Sequence, residues 1–249
     1  MKENFVAIIP ARHGSTRLPG KVLLEIAGKP LIQHAYESAC KSNAQRILIA
    51  TDSEEVRSIA LGFNAECLLT SKDHASGTDR LAEVIDTVGL AHDTIVVNVQ
   101  GDEIGLPPEL IDQVAGLLAN RPEAQMATLY EKIHEDSEID DPNVVKVVVN
   151  KNNEALYFSR SPIPWNKGGP QTEFRRHIGI YAYRAGFVAK YPDLPKCELE
   201  VQESLEQLRA LYHGATIMVD EASARAGIGI DTSRDLERAR EIYKNNLSA

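Results

Sequence analysis

Four short aliphatic runs, each followed by a helical pattern, restrict this chain more than any other feature. Phe5–Ile9, Arg46–Ala50, Ala65–Leu69 and Thr94–Val99 read as buried strands. Helical patterns cover Leu31–Ser42, Ser53–Leu61 and Thr78–Val88, and another runs through about Leu118. Ser53 is placed to cap its helix, whose apolar face is Val56, Ile59 and Ala60. Strands that alternate with helices pair in parallel through right-handed crossovers. The expected fold is therefore α/β: a Rossmann-like, mixed but mostly parallel sheet flanked by helices. Its ligand crevice lies at the C-terminal ends of the strands.

The regularity breaks after Pro107-Pro108. Met126–Ile133, Val144–Asn150, Ala155–Ser159 and His177–Tyr183 read as strands without full helices between them, a mixed-sheet section or substrate subdomain. Gly168-Gly169-Pro170 reads as a mobile loop. One long helix is expected from about Glu198 to His213, then a strand at Thr216–Val219 and a final helix at Ser233–Asn245. With 249 residues and 43% hydrophobic content, a single domain is expected. It divides into a ligand-binding part (about 1–120), a substrate and dimerisation part (about 121–215) and a return to the core (216–249).

The first strand runs into a loop, Pro10-Ala11-Arg12-His13-Gly14-Ser15-Thr16-Arg17-Leu18-Pro19-Gly20-Lys21, with no acid before Glu25. The whole chain has 36 acids against 27 bases, so this concentration of cations calls for an anionic ligand. The overall acidity excludes a general nucleic-acid surface. Five residues separate Gly14 from Gly20 and Val22 follows Lys21, which excludes a Walker A loop. Gly227-Ile228-Gly229 lacks the third glycine and the position of a dinucleotide fingerprint. A triphosphate grip that uses side-chain cations as well as backbone fits best.

Asn98-Val99-Gln100-Gly101-Asp102-Glu103 closes the fourth strand, and Gly229-Ile230-Asp231-Thr232 precedes the last helix. Asp102 and Asp231 each have a plain structural reading, as a turn former and a helix N-terminal residue. Beside a phosphate loop they also suit one magnesium ion, which takes one or two carboxylates plus phosphate oxygens and water. Cations and metal together suit attack on phosphorus, where catalysis is positioning and charge neutralisation. Asp73-His74-Ala75-Ser76-Gly77-Thr78-Asp79-Arg80 reads either as a capped helix start or as a contact to a base. Arg160 suits a carboxylate, and His177, Tyr181, Glu206 and Gln207 suit hydroxyls. Tyr157 and Phe158 read as core, and Glu206 with Arg209 also fits an ordinary helix pair.

Three isolated cysteines (Cys40, Cys67, Cys197) and the absence of a leader pattern lead us to expect a reducing, cytoplasmic setting. No apolar stretch approaches the roughly 20 residues that cross a bilayer.

Taken in order, these motifs resemble the 3-deoxy-manno-octulosonate cytidylyltransferases. The likeness rests on Ile9-Pro10-Ala11-Arg12, Ser15-Thr16-Arg17-Leu18-Pro19-Gly20-Lys21, Asn98-Val99-Gln100-Gly101-Asp102-Glu103, Ala155-Leu156-Tyr157-Phe158-Ser159-Arg160 and Leu205-Glu206-Gln207-Leu208-Arg209. The resemblance implies a glycosyltransferase-A-like nucleotidyltransferase fold, a homodimer, and magnesium-dependent transfer of CMP from CTP to a sugar acid for lipopolysaccharide synthesis. It implies that Arg12, Arg17 and Lys21 neutralise phosphates with Ser15 nearby, that Asp102 and Asp231 hold Mg2+, and that Ser76, Gly77 and Arg80 line the nucleotide side. Gln100, Arg160, His177, Tyr181, Glu206 and Gln207 would face the sugar. The chain departs from the family pattern at Ala75, Ile104 and Val201. Ala75 and Ile104 bear on nucleotide contacts, whereas Val201 and the short glycine-rich loop after Trp165 leave an 8-amino-3,8-dideoxy sugar open as the substrate. A sugar-1-phosphate nucleotidylyltransferase and a non-catalytic nucleotide-sugar-binding protein are the other readings.

Overall fold

The structure, a computed structural model, describes residues 4–14, 18–74, 76–167 and 173–246. Strand β1 (Phe5–Ala11) lies at its centre. Phe5, Ala7 and Ile9 belong to one buried cluster and Val6 and Ile8 to another, so the strand is covered on both faces. That is why it reads as a continuous apolar run. It pairs in parallel with β2 (Arg46–Thr51), which pairs in parallel with β3 (Glu66–Leu69). On its other side it pairs in parallel with β4 (Ile95–Asn98).

Helices α1 (Leu31–Cys40), α2 (Glu54–Gly62), α3 (Gly77–Val88) and α4 (Pro108–Ala119) cover this parallel half. Ser53 caps α2 by accepting from the Val56 amide, as the sequence predicts. At the start of α3, Ser76 accepts from the Asp79 amide while Asp79 accepts from that of Ser76. This reciprocal cap fixes where the helix begins.

Strand β5 (Met126–Lys132), the hairpin of β6 (Lys146–Val149) and β7 (Ala155–Ser159), β8 (Arg175–Arg184) and β9 (Ile217–Glu221) complete a single nine-stranded sheet. β8 is the pivot. Its C-terminal half runs antiparallel to β4, its other edge pairs with β5, and Arg176 reaches Lys146 of β6. β9 lies parallel to β5. The sheet is mixed and mostly parallel around β1, the expected fold class.

The expected single helix from Glu198 to His213 is corrected. Two helices stand there, α5 (Glu198–Glu203) and α6 (Gln207–Tyr212), and Ser204 between them adopts φ 50°, ψ 47°. The kink lets Leu205 and Leu208 both enter the core while Glu200 of α5 meets Arg209 of α6. A left-handed serine leaves no glycine in the sequence to announce the break. The last helix is α7 (Ser233–Asn246).

Candidate active site

Asp102 and Asp231 are brought together by backbone. After β4 the chain turns through Gly101, where a Cβ would stand 2.8 Å from the Pro10 carbonyl oxygen and 3.2 Å from Ile32. Only glycine lets the end of β1 and this turn approach so closely. Glu103–Ile104 then pairs antiparallel with Ile228–Gly229, and the Ile230 amide donates to the Asp102 carbonyl at 2.9 Å. This short ribbon sets Asp231 beside Asp102.

Lys21, from the 3-10 turn Lys21–Leu23, enters between them. Its ammonium pairs with Asp102, lies 3.0 Å from Asp231 Oδ1 and donates to the Ile230 carbonyl at 3.2 Å. Burial opposes the charge, but the two carboxylates outweigh it and raise the Lys21 pKa above its usual value.

Glu103, the next residue after Asp102, is buried at 8% exposure. Burial, then the charge of Asp102, pushes its carboxyl up to about 7, against the pull of the Gly227 amide. Between the usual 4.5 and about 7, the folded protein keeps a proton that the unfolded chain releases. Stability therefore falls as pH rises through that window and levels off above it. Glu103→Gln is expected to remove roughly 3 kcal/mol of this fall, at about 1.4 kcal/mol per pH unit. Urea midpoints at pH 5 and pH 8 in chelator test this, and equal slopes in both proteins would refute it.

Two adjoining cavities open beside the cluster. The outer one, about 340 Å³, is lined by Arg12, Lys21, Ser76, Gly77, Arg80 and Asp102, among others. The inner one, about 200 Å³, shares Gly77, Gln100 and Glu206 with it and is closed by Tyr181, Tyr183 and Gln207. A larger depression of about 500 Å³ lies elsewhere, lined by Glu131, Glu138, Arg176 and others. Its Arg176 is already paired with both of those glutamates, which leaves it ill suited to an anion.

Arg80 is buried and pairs with Asp52 at 3.0 Å. Asp52 also accepts from the His13 amide at 3.0 Å, so one carboxylate ties α3 to the basic loop. Gln100 donates to the Gly179 carbonyl at 3.2 Å. Glu206 is bonded by Ser76 and Thr78, yet burial raises its carboxyl above the usual range. The His177 imidazole contacts Thr128 at 3.0 Å and packs between Phe158 and Tyr181. Although its edge is partly exposed, burial of the ring drives its pKa down to about 3, so it is a neutral partner.

A cytidylyltransferase family profile matches residues 6–217. A 3-deoxy-manno-octulosonate cytidylyltransferase from Hahella chejuensis is 53% identical, over 96% of this chain and 97% of its own. One from Francisella philomiragia is 50% identical, over 96% and 98%. The solved structure of a CMP:2-keto-3-deoxy-manno-octonic acid synthetase complexed with CTP matches at a TM-score of 0.91 and 40% identity, covering 98% of this chain and 99% of that one. The chain belongs to the 3-deoxy-manno-octulosonate cytidylyltransferases.

In this cytidylyltransferase the structure gathers Arg12, Lys21, Ser76, Gly77, Arg80, Gln100, Asp102 and Glu206 around one cavity, with Tyr181 and Gln207 around its neighbour. Asp231 joins them through Lys21. Ser15 and Arg17 lie outside the described residues, as does the glycine loop at 168–170. His177 sits one ring behind the inner cavity, against Tyr181.

Arg160 is not brought to either cavity, contrary to the expectation that it meets a carboxylate. Its guanidinium donates to the carbonyls of Glu203 (2.7 Å), Pro142 (2.7 Å) and Ser204 (3.4 Å). It braces the kink between α5 and α6, a role invisible in a sequence because its partners are backbone. Sequence reasoning gave Thr78 a base contact or a helix cap and assigned no role to the Asn98 side chain or to Tyr183 and Tyr191; all four line the inner cavity. The available signal was an asparagine ending the buried aliphatic strand Ile95–Asn98.

Proposed function

We propose that this cytidylyltransferase transfers CMP from CTP to the anomeric hydroxyl of 3-deoxy-manno-octulosonate and releases pyrophosphate, activating the sugar for lipopolysaccharide assembly. The observation that carries the reading is the convergence of Lys21, Asp102 and Asp231 at a two-part cavity. The outer part, with Arg12 and Lys21, suits the triphosphate; the inner part, lined by tyrosines and amides, suits a polyol.

Asp102 and Asp231 offer hard oxygen donors close enough to share a single cation, since both contact the Lys21 ammonium. That donor set fits Mg2+, which prefers one or two carboxylates completed by phosphate and water. Bound there, the ion supplies charge neutralisation for the triphosphate. The side chains do the rest. Arg12 and Lys21 draw the α-phosphate toward an acceptor that is itself an anion, offsetting a repulsion that is strong in a low-dielectric crevice. Ser76, Gly77 and Arg80 line the nucleotide side, and Gln100, Glu206 and Gln207 orient the acceptor hydroxyls. Such positioning is most of what phosphoryl transfer asks of a protein.

The test is pyrophosphate release from each of the four nucleoside triphosphates, with Mg2+ and 3-deoxy-manno-octulosonate. Release with CTP alone is expected, abolished by chelator. Turnover of a sugar 1-phosphate in place of the keto acid would refute the reading.

A homodimer is part of the same reading. Edge strand β7 ends the sheet and leaves Leu156 60% exposed, with Trp165 81% exposed just beyond it. Such an edge asks for cover. Light scattering is expected to give twice the chain mass for the wild type and the monomer mass for Leu156→Arg; a wild-type monomer would refute it. The free cysteines, two of them buried, support a cytoplasmic setting. Among the described residues no helix is long and apolar enough to cross a membrane.

A further inference from the structure

The inner cavity contains three buried polar atoms that have no hydrogen-bond partner among the described residues: Asn98 Oδ1, Tyr181 Oη and Glu206 Oε1. Asn98 is 5% exposed and Tyr181 8%. The two residues are register partners across the antiparallel pair of β4 and β8, so their side chains stand side by side on one face of the sheet. One step deeper on that face, Val96 and Tyr183 are paired in the same way and belong to the apolar core. The core therefore stops abruptly at Asn98, where an aliphatic residue would continue the strand. The asparagine is held: it hydrogen-bonds Tyr183, which also bonds Thr78.

An acceptor kept buried and unpaired is unfavourable in the protein alone and is completed by a ligand that brings donors. Asn98 Oδ1 is an acceptor only, Glu206 accepts when ionised, and the Tyr181 hydroxyl does either. No lysine or arginine lines the inner cavity among the described residues, whereas Arg12, Lys21 and Arg80 line the outer one. An acid sugar thus has one favourable orientation, carboxylate toward the cations and hydroxylated end inward.

We propose that Asn98 is a specificity-determining residue of the acceptor site, its Oδ1 accepting a hydrogen bond from a hydroxyl of the sugar beside Tyr181 and Glu206. This rests on the cytidylyl-transfer reading. The residue touches substrate and takes no part in bond making at phosphorus.

Asn98→Leu separates this role from a structural one. Leucine has nearly the same size; it removes the unpaired acceptor together with the bond to Tyr183, which keeps its bond to Thr78, so the variant melts close to the wild-type temperature. Its KM for the sugar acid rises at least tenfold, while its KM for CTP stays within twofold. Asn98→Ala shows the same split. Calorimetric titration of the sugar acid, with CTP or a non-hydrolysable analogue present, reads the same loss as affinity. An unchanged sugar KM, equal rises in both KM values, or failure of both variants to fold would overturn the proposal. Wild-type protein that bound the sugar without releasing pyrophosphate would instead refute the functional reading, and the titration would still decide Asn98.

Discussion

Lys21→Ala is expected to lower kcat/KM for CTP about 10³-fold, the scale seen when one preorganised charge donor to a transition state is lost. The ammonium sits between Asp102 and Asp231, 3.0 Å from the latter, beside the cavity proposed for the triphosphate. Removing it also leaves two carboxylates facing one another, next to the buried Glu103. The variant is thus expected to gain more thermal stability from added Mg2+ than the wild type does. Pyrophosphate release and melting curves with and without the ion measure both effects. Full turnover in Lys21→Ala would refute the role given to this residue.

The second large effect concerns an ion pair that packs against Tyr191, a residue lining the inner cavity. Glu200 and Arg209 form a two-pronged ion pair at 2.8 and 2.5 Å, with both side chains at most 10% exposed. Arg209 also lies 4.8 Å over the Tyr191 ring, and Tyr191 donates to the Glu206 carbonyl at 2.8 Å. Glu200→Ala leaves a buried guanidinium unpaired, a change that costs about 3–5 kcal/mol. The pair is less valuable than that figure implies, because desolvation offsets much of its attraction. Glu200→Leu combined with Arg209→Met is expected to recover most of the loss in urea unfolding. A double variant as unstable as the single one would place the loss in packing around Tyr191. Glu200→Ala within 1 kcal/mol of wild type would contradict the burial argument.

The parallel half of the fold was legible because its strands are buried on both faces. Phe5–Ile9 must be apolar at every position to sit between two helical layers, and such runs stand out. The carboxylates were legible for a related reason: turns after strands, such as Gly101-Asp102, are where an open sheet presents ligands. Residues acting through backbone geometry were hidden. Ser204 breaks a helix that apolar periodicity runs straight through, and Arg160 spends its donors on carbonyls. Asn98 was passed over because the end of a strand is an ordinary place for asparagine; only its packing beside Tyr181 shows the unpaired oxygen.

The ribbon that joins Glu103–Ile104 to Ile228–Gly229 has a consequence for how activity arises as the chain is made. Translation runs from the N-terminus, and all nine strands of the sheet are synthesised before Asp231, which reaches Lys21 across 210 positions of sequence. A chain emerging from the ribosome can thus complete its sheet, and with it the inner cavity, before Asp231 reaches Lys21. Contacts of such long sequence separation form late. The two acidic turns therefore meet only when the ribbon closes, after the sheet that carries the inner cavity is in place.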